Sequence, residues 1–271
     1  MSFSTLLHKL LQIVSGKKYR NCPGGAAVDP AAQRALQAGL INSEQIMAYC
    51  DSYTTGLSDD VLTEGLGSYW DTNSPQEAAE TLAWLGSYGH RFFYDIVFRV
   101  YSDGASGDGR QEVLEALVAS GRYGSPETLR KQLAAQGPCE EKDLVFSALE
   151  QAMEILGNLR SVFRVLEDKV NGSYLPKDYS AGILAWDLGR LVTVARMSLD
   201  CKYIEQDEFG RILAHVDKEL RSNFSSWPQF AKSYIIGRAS WGGQNMTLGG
   251  IIGIAEDLMT DKKSPWVLSP L

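Results

Sequence analysis

Two stretches of the 271-residue chain gather side chains able to do chemistry. In the first, Trp84-Leu85-Gly86-Ser87-Tyr88-Gly89-His90-Arg91-Phe92-Phe93-Tyr94-Asp95, a helix ends near glycines and another begins, with His90 and Arg91 at the junction. Helix ends leave backbone groups without partners, so such a junction can hold a ligand. His90 is suited to proton transfer near neutral pH, with Asp95 to orient it. The competing structural reading, which we favour, pairs Arg91 with Asp95 at i, i+4 and uses His90 to cap a helix end.

The second stretch is denser. Trp186-Asp187-Leu188-Gly189-Arg190 puts Asp187 and Arg190 on one helix face, with Arg196 further along. Downstream, Ser226-Trp227-Pro228 opens a helix on which Tyr234 and Arg238 share a face and Trp241 follows one turn later. Arginine forks pair with oxyanions and stack on rings, so these residues suit a pocket for a phosphate, a carboxylate or a partner peptide. They suit equally a buried network in which Asp187 neutralises an arginine and indoles cover the stems, and the network is the favoured reading.

The elements that position these residues read as helices throughout. Ser74-Pro75-Gln76-Glu77 is a capping box, predicting a helix from Pro75 to about Gly86 with Ala78, Leu82, Ala83 and Leu85 on its apolar surface. Ser125-Pro126-Glu127-Thr128 and Asn42-Ser43-Glu44-Gln45 are starts of the same type. From Glu140 to Val170 the apolar residues, beginning at Leu144 and Ala148, keep helical spacing, predicting one long helix or two divided near Gly157-Asn158. Ala181–Asp200, Glu205–Ser222 and Trp227–Arg238 supply further helices. Gly249-Gly250-Ile251-Ile252-Gly253 reads as close helix packing, since no strand precedes it and no phosphate-loop lysine follows. With strand signals scarce, the expected fold is all-α: a single multi-helix, irregular or orthogonal bundle over 26–271. Residues 1–25 form an N-terminal amphipathic helix and linker. Its apolar face is Phe3, Leu6, Leu7, Leu10, Leu11 and Val14.

Composition narrows the chemistry. With 26 Lys+Arg against 33 Asp+Glu the formal net charge is −7, which disfavours nonspecific nucleic-acid binding. Cys22, Cys50, Cys139 and Cys201 lie far apart, and only three histidines are present, so no metal site and no cofactor are expected. The acidic, glycine-rich run Asp103–Gly109 lacks the closing glutamate of a calcium loop. No Gly-x-Ser-x-Gly, His-Glu-x-x-His or Cys-x-x-Cys motif occurs. His8 and Lys9 interrupt the first apolar run, so it does not read as a signal peptide, and no run reaches membrane-spanning length. Docking of that helix on the protein body is favoured over peripheral membrane contact through residues 3–20. The expected location is cytoplasmic, with secretion independent of a signal peptide left open.

Taken in order, Leu82-Ala83-Trp84-Leu85, Gly89-His90-Arg91, Ala185-Trp186-Asp187 with Arg190, Tyr203-Ile204 with Glu208, Phe224-Ser225-Ser226-Trp227, Ser233-Tyr234, Gly237-Arg238 and Trp241 carry a resemblance. The sequence resembles the bacterial family known as domain of unknown function 1266, most strongly over residues 66–241. The resemblance implies a bacterial source and makes the motif residues a set to test together, without implying a reaction.

The leading expectation is an interaction or regulatory module with an Arg- and aromatic-lined groove for a protein partner or a small anionic ligand. One alternative is an enzyme of unknown reaction with a cleft built from His90, Arg91, Asp187, Arg190, Tyr234 and Arg238. Another is an effector or immunity protein of a bacterial conflict system. The candidate residues are Trp84, His90, Arg91, Asp95, Trp186, Asp187, Arg190, Arg196, Trp227, Tyr234, Arg238 and Trp241.

Overall fold

The computed structural model describes residues 18–24, 28–104, 107–135, 137–166, 174–175 and 179–271. The amphipathic segment Phe3–Val14, Val170 and the centre of the glycine-rich loop lie outside the described residues. The helices are α1 (Pro30–Ala38), α2 (Leu40–Ile46), α3 (Asp59–Trp70), α4 (Pro75–Ser87), α5 (Arg91–Ser102), α6 (Arg110–Ala119) and α7 (Pro126–Ala134). They continue as α8 (Glu140–Leu166), α9 (Leu184–Asp200), α10 (Gln206–Asn223), α11 (Trp227–Gly242), α12 (Met246–Thr260) and α13 (Pro265–Leu268). No strand occurs among the described residues, so the fold is all-α as the periodicity predicted.

Local signals set several of these boundaries. Ser74 Oγ accepts the Glu77 N–H, and Glu77 Oε2 reaches back to the N–H of Asn73, one residue before the position expected of a capping box. Ala78, Leu82 and Leu85 are buried, but Ala83 faces outward. The start expected at Asn42 is not one. Those residues lie inside α2, where the Ser43 hydroxyl donates back to the Gly39 carbonyl and Asn42 is engaged by the distant Tyr234 hydroxyl. Long-range partners have overridden a local capping pattern.

α8 is one uninterrupted helix. It passes through Gly157-Asn158, and the Asn158 amide donates to the carbonyls of Ser240 and Trp241, satisfying the C-terminal end of α11. Its buried stripe begins at Val145 rather than Leu144, which is exposed. Val145 joins Val118 and Leu129 in a small satellite core under α6 and α7.

α9 is the axis of the molecule. Every residue from Ala185 to Ser198 is buried, because α1, α2, α3, α4, α10 and α11 all pack against it. A helix covered on all sides that still carries Asp187, Arg190 and Arg196 must supply each with internal partners. Close packing is clearest at Gly237 of α11, where a Cβ would stand 2.2 Å from that of Trp186. It does not explain Gly249 or Gly253 in α12, around which space is open. At the far end Trp227 stacks on Trp266 at 5.0 Å, and the Trp266 indole donates to the Gln37 carbonyl, fastening the C-terminal residues to α1. No described helix is long and apolar enough to cross a membrane.

Candidate functional site

The first turn of α9 carries Asp187, whose exposure is 0%. Its carboxylate accepts the backbone N–H groups of His90 (3.0 Å) and Arg91 (3.1 Å) and Nη1 of Arg91 (3.0 Å), and it pairs with Nη2 of Arg190. α5 has no side-chain cap of its own. Asp187 supplies one from another helix, placing negative charge at the positive end of α5. The approach requires Gly89, whose φ is +55° and whose added Cβ would lie 2.1 Å from Asp187 Oδ2.

The two arginines extend this knot. Arg91 also donates to the carbonyls of Leu85 and Gly86, closing the C-terminal turn of α4. The Arg91–Asp95 pair expected from spacing does not form, because the capping carboxylate of Asp187 takes the guanidinium instead. Arg190 donates through Nε to the Trp186 carbonyl and lies over the rings of Trp186 (4.3 Å) and Trp70 (5.5 Å). Burial lowers its pKa to about 10, with Asp187 opposing the shift, so it stays charged near neutrality.

His90 sits between Trp84 and Trp241, with ring centroids at 4.9 and 3.7 Å. Its Nδ1 is 4.0 Å from Asp187 Oδ1, too far for a hydrogen bond, and has no partner among the described residues. Burial, helped by the charge of Arg190, drives its pKa down to about 2. A histidine neutral throughout the physiological range is not placed for the proton transfer its position in the sequence suggested.

The remaining candidates are distributed around this centre. The Trp186 ring meets Tyr234 edge-on at 5.0 Å, its Nε1 has no partner among the described residues, and the Tyr234 hydroxyl donates to Asn42. Arg238 is partly buried; its Nη2 donates to Asn245 at 3.3 Å and its Nη1 is unpartnered among the described residues. Arg196 is 2% exposed and belongs to a different network, donating to Ser43 Oγ and to the carbonyls of Tyr49, Tyr53 and Thr54. It clamps the loop before α3. Trp227 belongs to the C-terminal stack.

Asp95 opens onto a cleft of about 290 Å³. One wall is Gly86, Arg91 and Asp95, a second is the turn Ser180–Gly182 with Leu184, and a third is His215, Glu219 and Asn223 of α10. Desolvation by the surrounding protein raises the Asp95 pKa, while Arg91 pulls against it. The α10 residues were missed in the sequence. Their signal is polar spacing at i, i+4 and i+8, which reads as an ordinary solvated helix face. Among the described residues no group of three or more His, Cys, Asp or Glu is arranged to hold a metal ion.

Fold and site define an all-α protein in which two helix termini and two arginines converge on one buried carboxylate beside a polar cleft. The chain belongs to the family described as Protein of unknown function (DUF1266), whose family model matches residues 65–271 and so includes every residue of the knot and the cleft. No curated protein and no solved structure matches the chain.

Proposed function

We propose that the protein is an interaction module that meets a partner or small ligand at the cleft beside Arg91. The observation carrying this reading is the dual position of Arg91. It lines the cleft and is bonded to Asp187, so an occupant of the cleft touches a side chain that ties α4, α5 and α9 together. Of the arginines expected to meet an anion in a groove, Arg190, Arg196 and Arg238, the first two are 5% and 2% exposed and donate to internal acceptors, while Arg238 is partly buried and lies away from the cleft lining. Arg190 and Arg196 act as internal supports rather than facing an occupant.

A second, enzymatic reading gains one observation: Asp95, Glu219 and His215 share the same cleft, and the Asp95 carboxyl titrates above its ordinary value. It would place acid–base work on these residues instead of His90. The interaction reading is tested by Ala181→Trp, whose indole would fill the cleft from its rim. Compounds or proteins that co-purify with the full chain are compared for wild type and variant. Loss of a retained molecule at unchanged melting temperature is the expected outcome, and equal retention by both places the contact elsewhere.

A further inference from the structure

The hydrogen-bond inventory of the cleft leans toward acceptors. Arg91 turns Nη1 and Nη2 inward, to Leu85, Gly86 and Asp187. The Asn223 amide nitrogen is taken by the Glu219 carbonyl (2.9 Å) and Glu219 Oε2 (3.2 Å). The Ser180 side also has partners. Acceptors remain free among the described residues: both oxygens of Asp95, Oε1 of Glu219 and Oδ1 of Asn223, and His215 Nε2, which accepts in one of its neutral tautomers, is also without a partner there. The charges follow the same pattern, since Arg91, which lines the cleft, is already matched by Asp187, while Asp95 and Glu219 have no ion-pair partner among the described residues.

We infer that the cleft takes a compact nitrogen cation, a guanidinium or primary ammonium, whose N–H donors meet Asp95, Glu219 and the Asn223 carbonyl oxygen. This rests on the cleft being the contact site. Carboxylates pair with guanidinium through parallel charge-assisted bonds, and a cavity of about 290 Å³ has room for one such group rather than for a large cofactor. The net charge of −7 favours the approach of a cation from a distance. The group could arrive on a free small molecule or as an Arg or Lys side chain of a basic peptide, two sources with one chemistry.

The test is titration of the isotope-labelled full chain, followed by amide spectra, with agmatine, with a capped Gly-Arg-Gly peptide and with citrate as anionic control. Saturable shifts at Gly86, Asp95, Gly182 and Asn223 are expected with the two cations and not with citrate. Glu219→Gln and Asp95→Asn each weaken the response about tenfold, the equivalent of one charge-assisted bond, without changing the melting temperature. Tighter binding of the peptide identifies a partner's side chain as the source, and tighter binding of agmatine a free small molecule. Shifts at these amides with citrate alone overturn the inference while leaving the cleft as a contact site. Cation binding that is equal in the two variants overturns it, as does the absence of any shift, and the Ala181→Trp comparison then judges the cleft independently.

Discussion

Glu44 and His90 are two buried residues whose protonation between pH 4 and 8 depends on folding. Glu44 accepts the Tyr19 N–H, and burial raises its pKa to about 7 against the opposing pull of that bond and of Lys18, with Asp257 adding to the rise. Between pH 4.5 and about 7 the folded chain therefore keeps a proton that the unfolded chain has released, and stability falls as pH rises through that window. His90 acts in the opposite sense. Its folded pKa is about 2 against 6.5, so below pH 6.5 the unfolded chain binds a proton that the folded chain refuses, and stability falls as pH drops. Glu44→Gln keeps an acceptor for Tyr19 without the charge. Urea unfolding of the variant is expected to show a gain over wild type that grows from near zero at pH 4 to as much as about 3 kcal/mol at pH 8. A gain independent of pH would dissociate Glu44 from this behaviour.

At the scale of elements, the junction between α4 and α5 depends on what Gly89 lacks. An alanine there would be held at a left-handed φ with its methyl against the Asp187 carboxylate, displacing the group that caps α5. Gly89→Ala is expected to cost about 2 kcal/mol or more in chemical denaturation. Gly249→Ala, in open space on α12, should gain about 0.5–1 kcal/mol from helix propensity alone. Equal effects would show that the junction tolerates a side chain. The same contrast governs what was legible in the sequence. Ser74 and Glu77 act within a few residues of each other, and the buried stripe of α8 repeats along one helix, so both could be read from spacing. Arg91 gave a local pattern, an i, i+4 partner at Asp95, yet its carboxylate comes from Asp187, 96 residues away. Asn42 resembled a cap and instead takes the hydroxyl of Tyr234, 192 residues on. The α10 wall of the cleft was hidden for the opposite reason: polar residues on a helix face need no partner at all, so nothing in their spacing separates a cleft wall from a solvated surface.

Across the whole molecule the residues concentrated around Asp187 divide into a support and an opening. Asp187, Arg190, His90 and Trp186 are buried, and the Asp187 carboxylate with its arginines ties α4, α5 and α9 together; Arg91 belongs to both the support and the cleft. The carboxylate at the middle of this arrangement is its keystone. Equilibrium urea unfolding of Asp187→Asn tests it most directly, because the substitution preserves shape while leaving two guanidinium groups without their counter-charge. A loss of about 3–5 kcal/mol is the predicted result, the range for breaking a buried ion pair from one side. A variant as stable as the wild type would contradict the account and make Asp187 a residue kept for something other than holding the fold.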